Sequence, residues 1–245
     1  MPEHPDSGMP LTVAQLRVWR LLQAGRADPA LNIGGYMHIG GPLDPLRLKQ
    51  AVRQVIDGIE TLHVRFVDTA RGVRQVPVQS SQWPLHTFDL RGEPSPRPAA
   101  EGWMRTNLAR GCDPRTEAPF TAAVFKVDKG EHFFYMRTHH IVMDGHGFAL
   151  LAAHVAGACN RLNGTAHRPL LCTPLRSTLD DETAYLCSAQ YQEDKAYWLR
   201  RCRPQLPLWP SAICTQPDKP VAAATVLNPG HVEQWHHNAR RRGVT

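Results

Sequence analysis

The chain has 245 residues, with 28 Lys and Arg against 22 Asp and Glu, a net charge of +6 with histidine neutral. At 42% hydrophobic and 20% charged residues it can bury a core, which excludes a disordered polymer, and its length suits one large domain or two small ones. No run of 18 apolar residues occurs and the opening MPEHPDSGMP is polar and proline-broken, so neither a membrane span nor a signal peptide is expected, and a cytoplasmic chain is expected.

Leu11 to Gly25 reads as an amphipathic helix with Thr12 as its cap and Gly25 as its stop. NIGGYMHIGG follows as a strand closed by glycines. Asp44 and Pro45 then open a helix whose buried stripe is Leu48, Val52, Val55, Ile56 and Ile59. The period switches to two at Leu62, Val64 and Phe66, a strand that returns through a turn at Thr69–Gly72 as Val73–Val78. Residues 84–98 are proline-rich and read as irregular; Ala99–Ala109 reads as helix, with Trp103 and Leu108 inward. Phe120–Val127 and His132–Arg137 read as two strands around the Asp128–Gly130 turn. After HHIVMDGHG a helix runs to about Asn163 on Phe148, Leu151, Ala152, Val155, Cys159 and Leu162, and Gly164 stops it.

One long helix is expected from a cap at Asp180 or Asp181 to Cys202, and prolines 204, 207 and 210 end it. Residues 222–227 read as a strand, and Asn228 caps a last helix over Pro229–Arg242. Strands and helices alternate, so the expected fold class is α/β, a mixed β-sheet flanked by helices. Trp19, Trp103, Trp198 and Trp235 are expected in the core or at a lobe interface. The six cysteines form no CxxC pair and read as free, mostly buried thiols. Residues 186–245 supply +4 of the net charge, but no nucleic-acid motif accompanies them, so no nucleic-acid partner is expected.

MRTHHIVMDGHG is the site-like segment. It places His139, His140, Asp144, Gly145, His146 and Gly147 between a strand and a helix, where α/β proteins often bind ligands. Adjacent histidines on an extended backbone point to opposite faces, so one can face a cleft while the other orders the loop. The same divergence argues against joint chelation, and no metal is expected. Gly145 permits a tight turn at the helix start, where exposed N–H groups favour negative charge.

His139-His140-Ile-Val-Met-Asp144-Gly145 resembles the HHxxxDG signature of condensation domains of nonribosomal peptide synthetases, relatives of chloramphenicol acetyltransferase. LTVAQLRVWRL resembles the first motif of that family through Ala14, Gln15 and Trp19, and ETLHVRF its RHExLRTRF ending through Glu60, Leu62, Arg65 and Phe66. DETAYLCSAQYQEDKAYW resembles the Tyr, Ser, Tyr, Asp, Tyr-Trp pattern that follows the amino-terminal lobe.

The resemblance implies a chloramphenicol-acetyltransferase-like lobe, with the second lobe missing or only begun. It divides the chain into a disordered leader (1–10), an amino-terminal lobe (11–203), a proline-containing linker (204–220) and the truncated start of a carboxyl-terminal lobe (221–245). It makes His140 the catalytic residue, His139 structural, Asp144 the loop anchor, Gly145 the glycine beside the tunnel, and His146 and Gly147 candidates for its lining. The family's arginine partner of the aspartate is His63 here, which is shorter and not a permanent cation. Arg65 and Arg137 are the other candidates for that role.

The implied reaction is amide formation, an acceptor amine attacking a donor thioester. An imidazole there accepts the proton or orients the amine, and the oxyanion donor is His140 Nε2 or a backbone N–H near Gly145. Substrates are carried on the phosphopantetheine of partner carrier proteins, with no tightly bound cofactor and no membrane partner. Arg200, Arg201 and Arg203 either meet an acidic carrier protein or form a solvated helix end. Further partners are peptidyl carrier proteins or domains, and the missing carboxyl-terminal lobe in cis or trans. The alternative is a noncatalytic docking or scaffold lobe at the front of a synthetase.

Overall fold

The computed structural model describes residues 8–24, 28–78, 85–162, 164, 172–202 and 228–244. A four-stranded mixed sheet carries the site. β1 (Asn32–Gly40) pairs antiparallel with β6 (Glu131–His139), and β6 pairs antiparallel with β5 (Phe120–Asp128). β4 (Leu85–Asp89) runs parallel beside β5, giving the order β1-β6-β5-β4. β6 is buried on both faces, which is why HFFYMRTH lacks a clean polar alternation. Phe134 and Met136 join Phe120, Ala122 and Val124 in the main core, whereas Phe133 and Tyr135 join Ala123, Phe125 and Val127 in a second one.

The main core is completed by α2 (Pro45–Asp57) and α4 (Gly145–Leu162), which pack together. Asp44 Oδ1 accepts the Leu46 N–H at 2.9 Å and Pro45 occupies the first turn, so α2 starts where expected. The second core lies under α3 (Pro96–Ala109) through Ala100 and Met104, with Trp103 half-buried against Phe88, Phe125 and Tyr135.

α1 (Val13–Ala24) begins with a reciprocal cap. Thr12 Oγ1 accepts the Gln15 N–H at 3.2 Å and Gln15 Oε1 accepts the Thr12 N–H at 3.0 Å. Gln15 Nε2 then donates to the buried Gln75 Oε1 at 3.0 Å, tying α1 to the separate hairpin of β2 (Val64–Thr69) and β3 (Gly72–Pro77). Gly72, at φ +91°, makes that hairpin turn in the left-handed region.

Several expectations change. The end of the leader is ordered: the backbones of Met9 and Gln75 exchange two hydrogen bonds of 2.9 Å, extending the hairpin. Leu62 lies in a 3-10 turn (Glu60–His63) and not in a strand, yet it is buried with Val64 and Phe66 as the alternation required. Residues 85–89 form β4 where an irregular segment was expected; its short LHTFD run sits at a sheet edge and carries little pattern.

The long helix is two, α5 (Leu175–Leu186) and α6 (Ala189–Arg201). Asp180 and Asp181 lie inside α5, and the break falls at Ser188, whose hydroxyl accepts the Tyr191 N–H at 3.1 Å and caps α6. Trp19 is buried and Trp103 half-buried, whereas Trp198 and Trp235 are 59% and 55% exposed, so for these two the core half of the expectation fails. Cys112 is buried and Cys159 half-buried, whereas Cys172, Cys187 and Cys202 are exposed, against the expected burial.

The chain divides into two compact units, Met1–Ala196 and Tyr197–Thr245, the division falling inside α6 and not at residue 203. The second unit contains α7 (Pro229–Arg241), where Asn228 Oδ1 accepts the Gly230 N–H at 2.9 Å as the expected cap. The expected linker and the strand at 222–227 lie outside the described residues. Among the described residues no helix is long and apolar enough to cross a membrane.

Candidate active site

The site forms where β6 runs out. The His139 N–H donates to Pro119 O at 2.9 Å and the His140 N–H to Leu31 O at 2.7 Å, so both residues are fixed by the last rungs of the sheet. Their side chains therefore diverge: His139 is 1% exposed, while His140 is exposed at a cleft. His139 Nδ1 accepts the Ile141 N–H at 3.1 Å, which places the ring proton on Nε2.

Burial, then the neighbouring His140 and Arg137, push the His139 imidazole down to about 4, with Asp113 opposing. The folded value lies below the unfolded one, so the unfolded chain binds this proton more readily between them. Stability therefore falls as pH drops from about 6.5 to about 4, by on the order of 3 kcal/mol. Urea unfolding across that window should show the slope in the wild type and a flatter one in His139→Gln. Equal slopes would place its origin elsewhere.

Asp144 is the N-cap of α4. Its Oδ1 accepts the Gly147 N–H at 2.7 Å and its carbonyl the Phe148 N–H at 2.9 Å. A Cβ at Gly147 would sit 3.0 Å from Met143 Cγ and 3.3 Å from Asp144 Oδ1, so glycine lets the cap close.

None of the three candidate partners pairs with Asp144. A ring nitrogen of His63 lies 2.9 Å from Ile56 O, Arg65 is exposed on β2, and Arg137 is buried on the α3 face of the sheet. Asp144 anchors the loop through the helix it caps. Asp144→Asn should retain stability and Asp144→Ala should lose about 1 kcal/mol, read from chemical unfolding. An equal loss in both variants would point to an ion pair instead.

The cleft encloses about 730 Å³ between α1, the His140–Asp144 loop, α4 and the residues leading into α5. Its lining includes His140, Asp144 and Gly147, whereas Gly145 and His146 start α4 outside it. Apolar walls come from Val18, Met143, Leu150, Leu151 and Leu175.

Sequence reasoning missed Gln15, Glu60, His154 and Cys172 as lining residues. For His154 a signal existed, since Gly147, Leu151 and His154 follow at steps of four and three on one helix face. Glu60 had none: its Oε2 accepts the Leu175 N–H at 2.7 Å and so fixes the start of α5 over the cleft, a contact 115 residues apart. Burial and the nearby Glu60 carboxylate push the Cys172 thiol up. Among the described residues no group of three or more His, Cys, Asp or Glu is placed to hold a metal.

The mixed sheet thus ends in a divergent histidine pair, one ring buried and one in a cleft. The Condensation domain family profile matches residues 6–229, and the chain belongs to that family. It is 35% identical over 202 residues to the dimodular nonribosomal peptide synthase of Bacillus subtilis, covering 82% of this chain and 8% of the relative. It is 34% identical over 196 residues to the isonitrile lipopeptide synthase of Streptomyces coeruleorubidus, covering 78% of this chain and 13% of that one.

Among solved structures it is similar to the starter condensation domain of rhizomide synthetase RzmA, at a TM-score of 0.72 and 33% identity, covering 80% of this chain and 48% of that chain. A mutant of that domain in complex with C8-CoA and Leu-SNAC superposes at a TM-score of 0.76 and 32% identity, covering 80% of this chain and 46% of that chain. The chain thus spans about half the length of the solved condensation domains it matches and a small part of the curated synthetases.

Proposed function

We propose that the chain provides the histidine-bearing lobe for amide formation between a carrier-bound acyl or aminoacyl thioester and an aminoacyl acceptor in nonribosomal peptide synthesis. The observation that carries this reading is His140, exposed in a largely apolar cleft while its neighbour is locked behind it. The acceptor nitrogen attacks the thioester carbonyl, the C–N bond forms, the C–S bond breaks, and the thiol leaves with a proton. His140 orients the amine and takes its proton.

The donor chain lies along Val18, Met143, Leu150 and Leu175, a wall suited to an aliphatic acyl group. A phosphopantetheine arm on a partner carrier protein delivers each substrate, and a second lobe, in cis or in trans, completes the tunnel. A largely apolar cleft can also hold a thioester without turning it over, which gives one further reading, a noncatalytic docking lobe.

The test mixes the chain, an octanoyl pantetheine thioester and an aminoacyl N-acetylcysteamine thioester with a separately expressed carboxyl-terminal half of the Bacillus relative's domain. Amide is detected by mass spectrometry. Amide that depends on this chain supports the catalytic reading. Thioester binding without amide supports the docking lobe, and no binding at all overturns both.

A further inference from the structure

Behind His140, two buried polar side-chain atoms on paired residues lack a hydrogen-bond partner. They are His139 Nε2 and Asn32 Oδ1, and the two residues are register partners across β1 and β6. The Asn32 N–H donates to Pro29 O and the His139 N–H to Pro119 O, so this is a non-hydrogen-bonded pair, the kind that brings side chains closest. Both rise on the face of the sheet under α3.

The donor and acceptor roles are complementary. Asn32 spends both amide hydrogens on Leu108 O and Arg110 O, each at 2.8 Å, which leaves Oδ1 as a bare acceptor. His139 accepts the Ile141 N–H at Nδ1, which leaves Nε2–H as a bare donor. Buried groups of this kind are satisfied in proteins, and a water bridges them where they lie too far apart to bond directly.

The geometry points to Asn32 as a positioning residue for the histidine loop, acting on His140 through His139 by way of one buried water between Asn32 Oδ1 and His139 Nε2–H. The consequence reaches the cleft. The Nε2–H tautomer keeps Nδ1 free to accept from Ile141, the residue after His140, and the same end of β1 holds the His140 N–H at Leu31 O. The groups that bear on the His139 ring are Arg137 from β6, Asp113 from the segment after α3, and His140 beside it. That this loop serves catalysis rests on the function proposed above, but the readouts are spectroscopic, so the two ideas can fail separately.

The test uses the uniformly 15N-labelled chain and long-range 1H–15N correlation of the imidazole rings, with the His139 signal assigned by its loss in His139→Gln. At pH 7 the wild type should show His139 as the Nε2–H tautomer, with magnetisation transfer to that proton from a long-lived water. Asn32→Asp sets a carboxylate at the water site and should raise the titration of His139 by about one pH unit or more. Below that pH, Nδ1 becomes a donor and the Ile141 amide should exchange roughly tenfold faster.

Asn32→Asp also weakens the contacts to α3 and can unfold the chain, so the wild-type signals decide alone if it does. An Nδ1–H tautomer, no water transfer, or an unmoved titration in a folded Asn32→Asp overturns the inference.

Discussion

His140→Gln is expected to lower amide formation in the two-half assay by about 10²–10⁴-fold while leaving binding of the octanoyl thioester unchanged. The backbone N–H of residue 140, not its ring, holds the strand end to Leu31, and glutamine keeps that bond. The ring itself is exposed, so its replacement removes no core contact and the unfolding midpoint should stay within error. Glutamine offers a donor and an acceptor of similar reach but cannot take a proton. A loss near tenfold would make His140 mainly an orienting group, and no loss would end its catalytic assignment.

Much of this site was legible because its chemistry is local. HHIVMDG sits at a strand-to-helix junction that periodicity alone locates, and the opposite aims of His139 and His140 follow from strand geometry. The main helices were legible for the same reason: Asp44-Pro45 and Asn228-Pro229 are caps written in adjacent residues. What the sequence hid is non-local. The carboxylate of Glu182 accepts the Val13 N–H at 3.0 Å and that of Glu60 the Leu175 N–H, so two cleft walls are fixed by residues with no spacing to betray them. β4 was missed because its five residues pair in parallel with β5, far away in sequence.

The partner of Asp144 was misjudged for a different reason. The family resemblance implied a cation beside Asp144, and at the cap of α4 its carboxylate accepts a backbone N–H instead.

Arg137, a candidate for that partnership, has another task, and its removal should cost on the order of 3 kcal/mol. The side chain is 2% exposed and donates to Asn107 O at 2.9 Å, Arg110 O at 3.3 Å and Thr121 Oγ1 at 3.2 Å. The two carbonyls, of Asn107 and of the C-cap residue Arg110, belong to the closing turn of α3, whereas Thr121 lies on β5. With Asn32 gripping Leu108 and Arg110 from the next strand, Arg137 forms a two-point clamp on the helix end.

Arg137→Met keeps much of the apolar stem but removes every donor, so the carbonyls stay buried with fewer bonds at about 1–3 kcal/mol each, partly offset because a buried cation no longer has to be desolvated. Lysine keeps the charge without the planar fork and should recover only part of the loss. A second readout separates this from ordinary core damage. Arg137 is one of the charges that hold His139 neutral, so in Arg137→Met the His139 ring should titrate at higher pH. If Arg137→Met unfolds at the wild-type denaturant midpoint, the clamp does not hold α3, and the order of the histidine loop must come from Asn32 and the sheet alone.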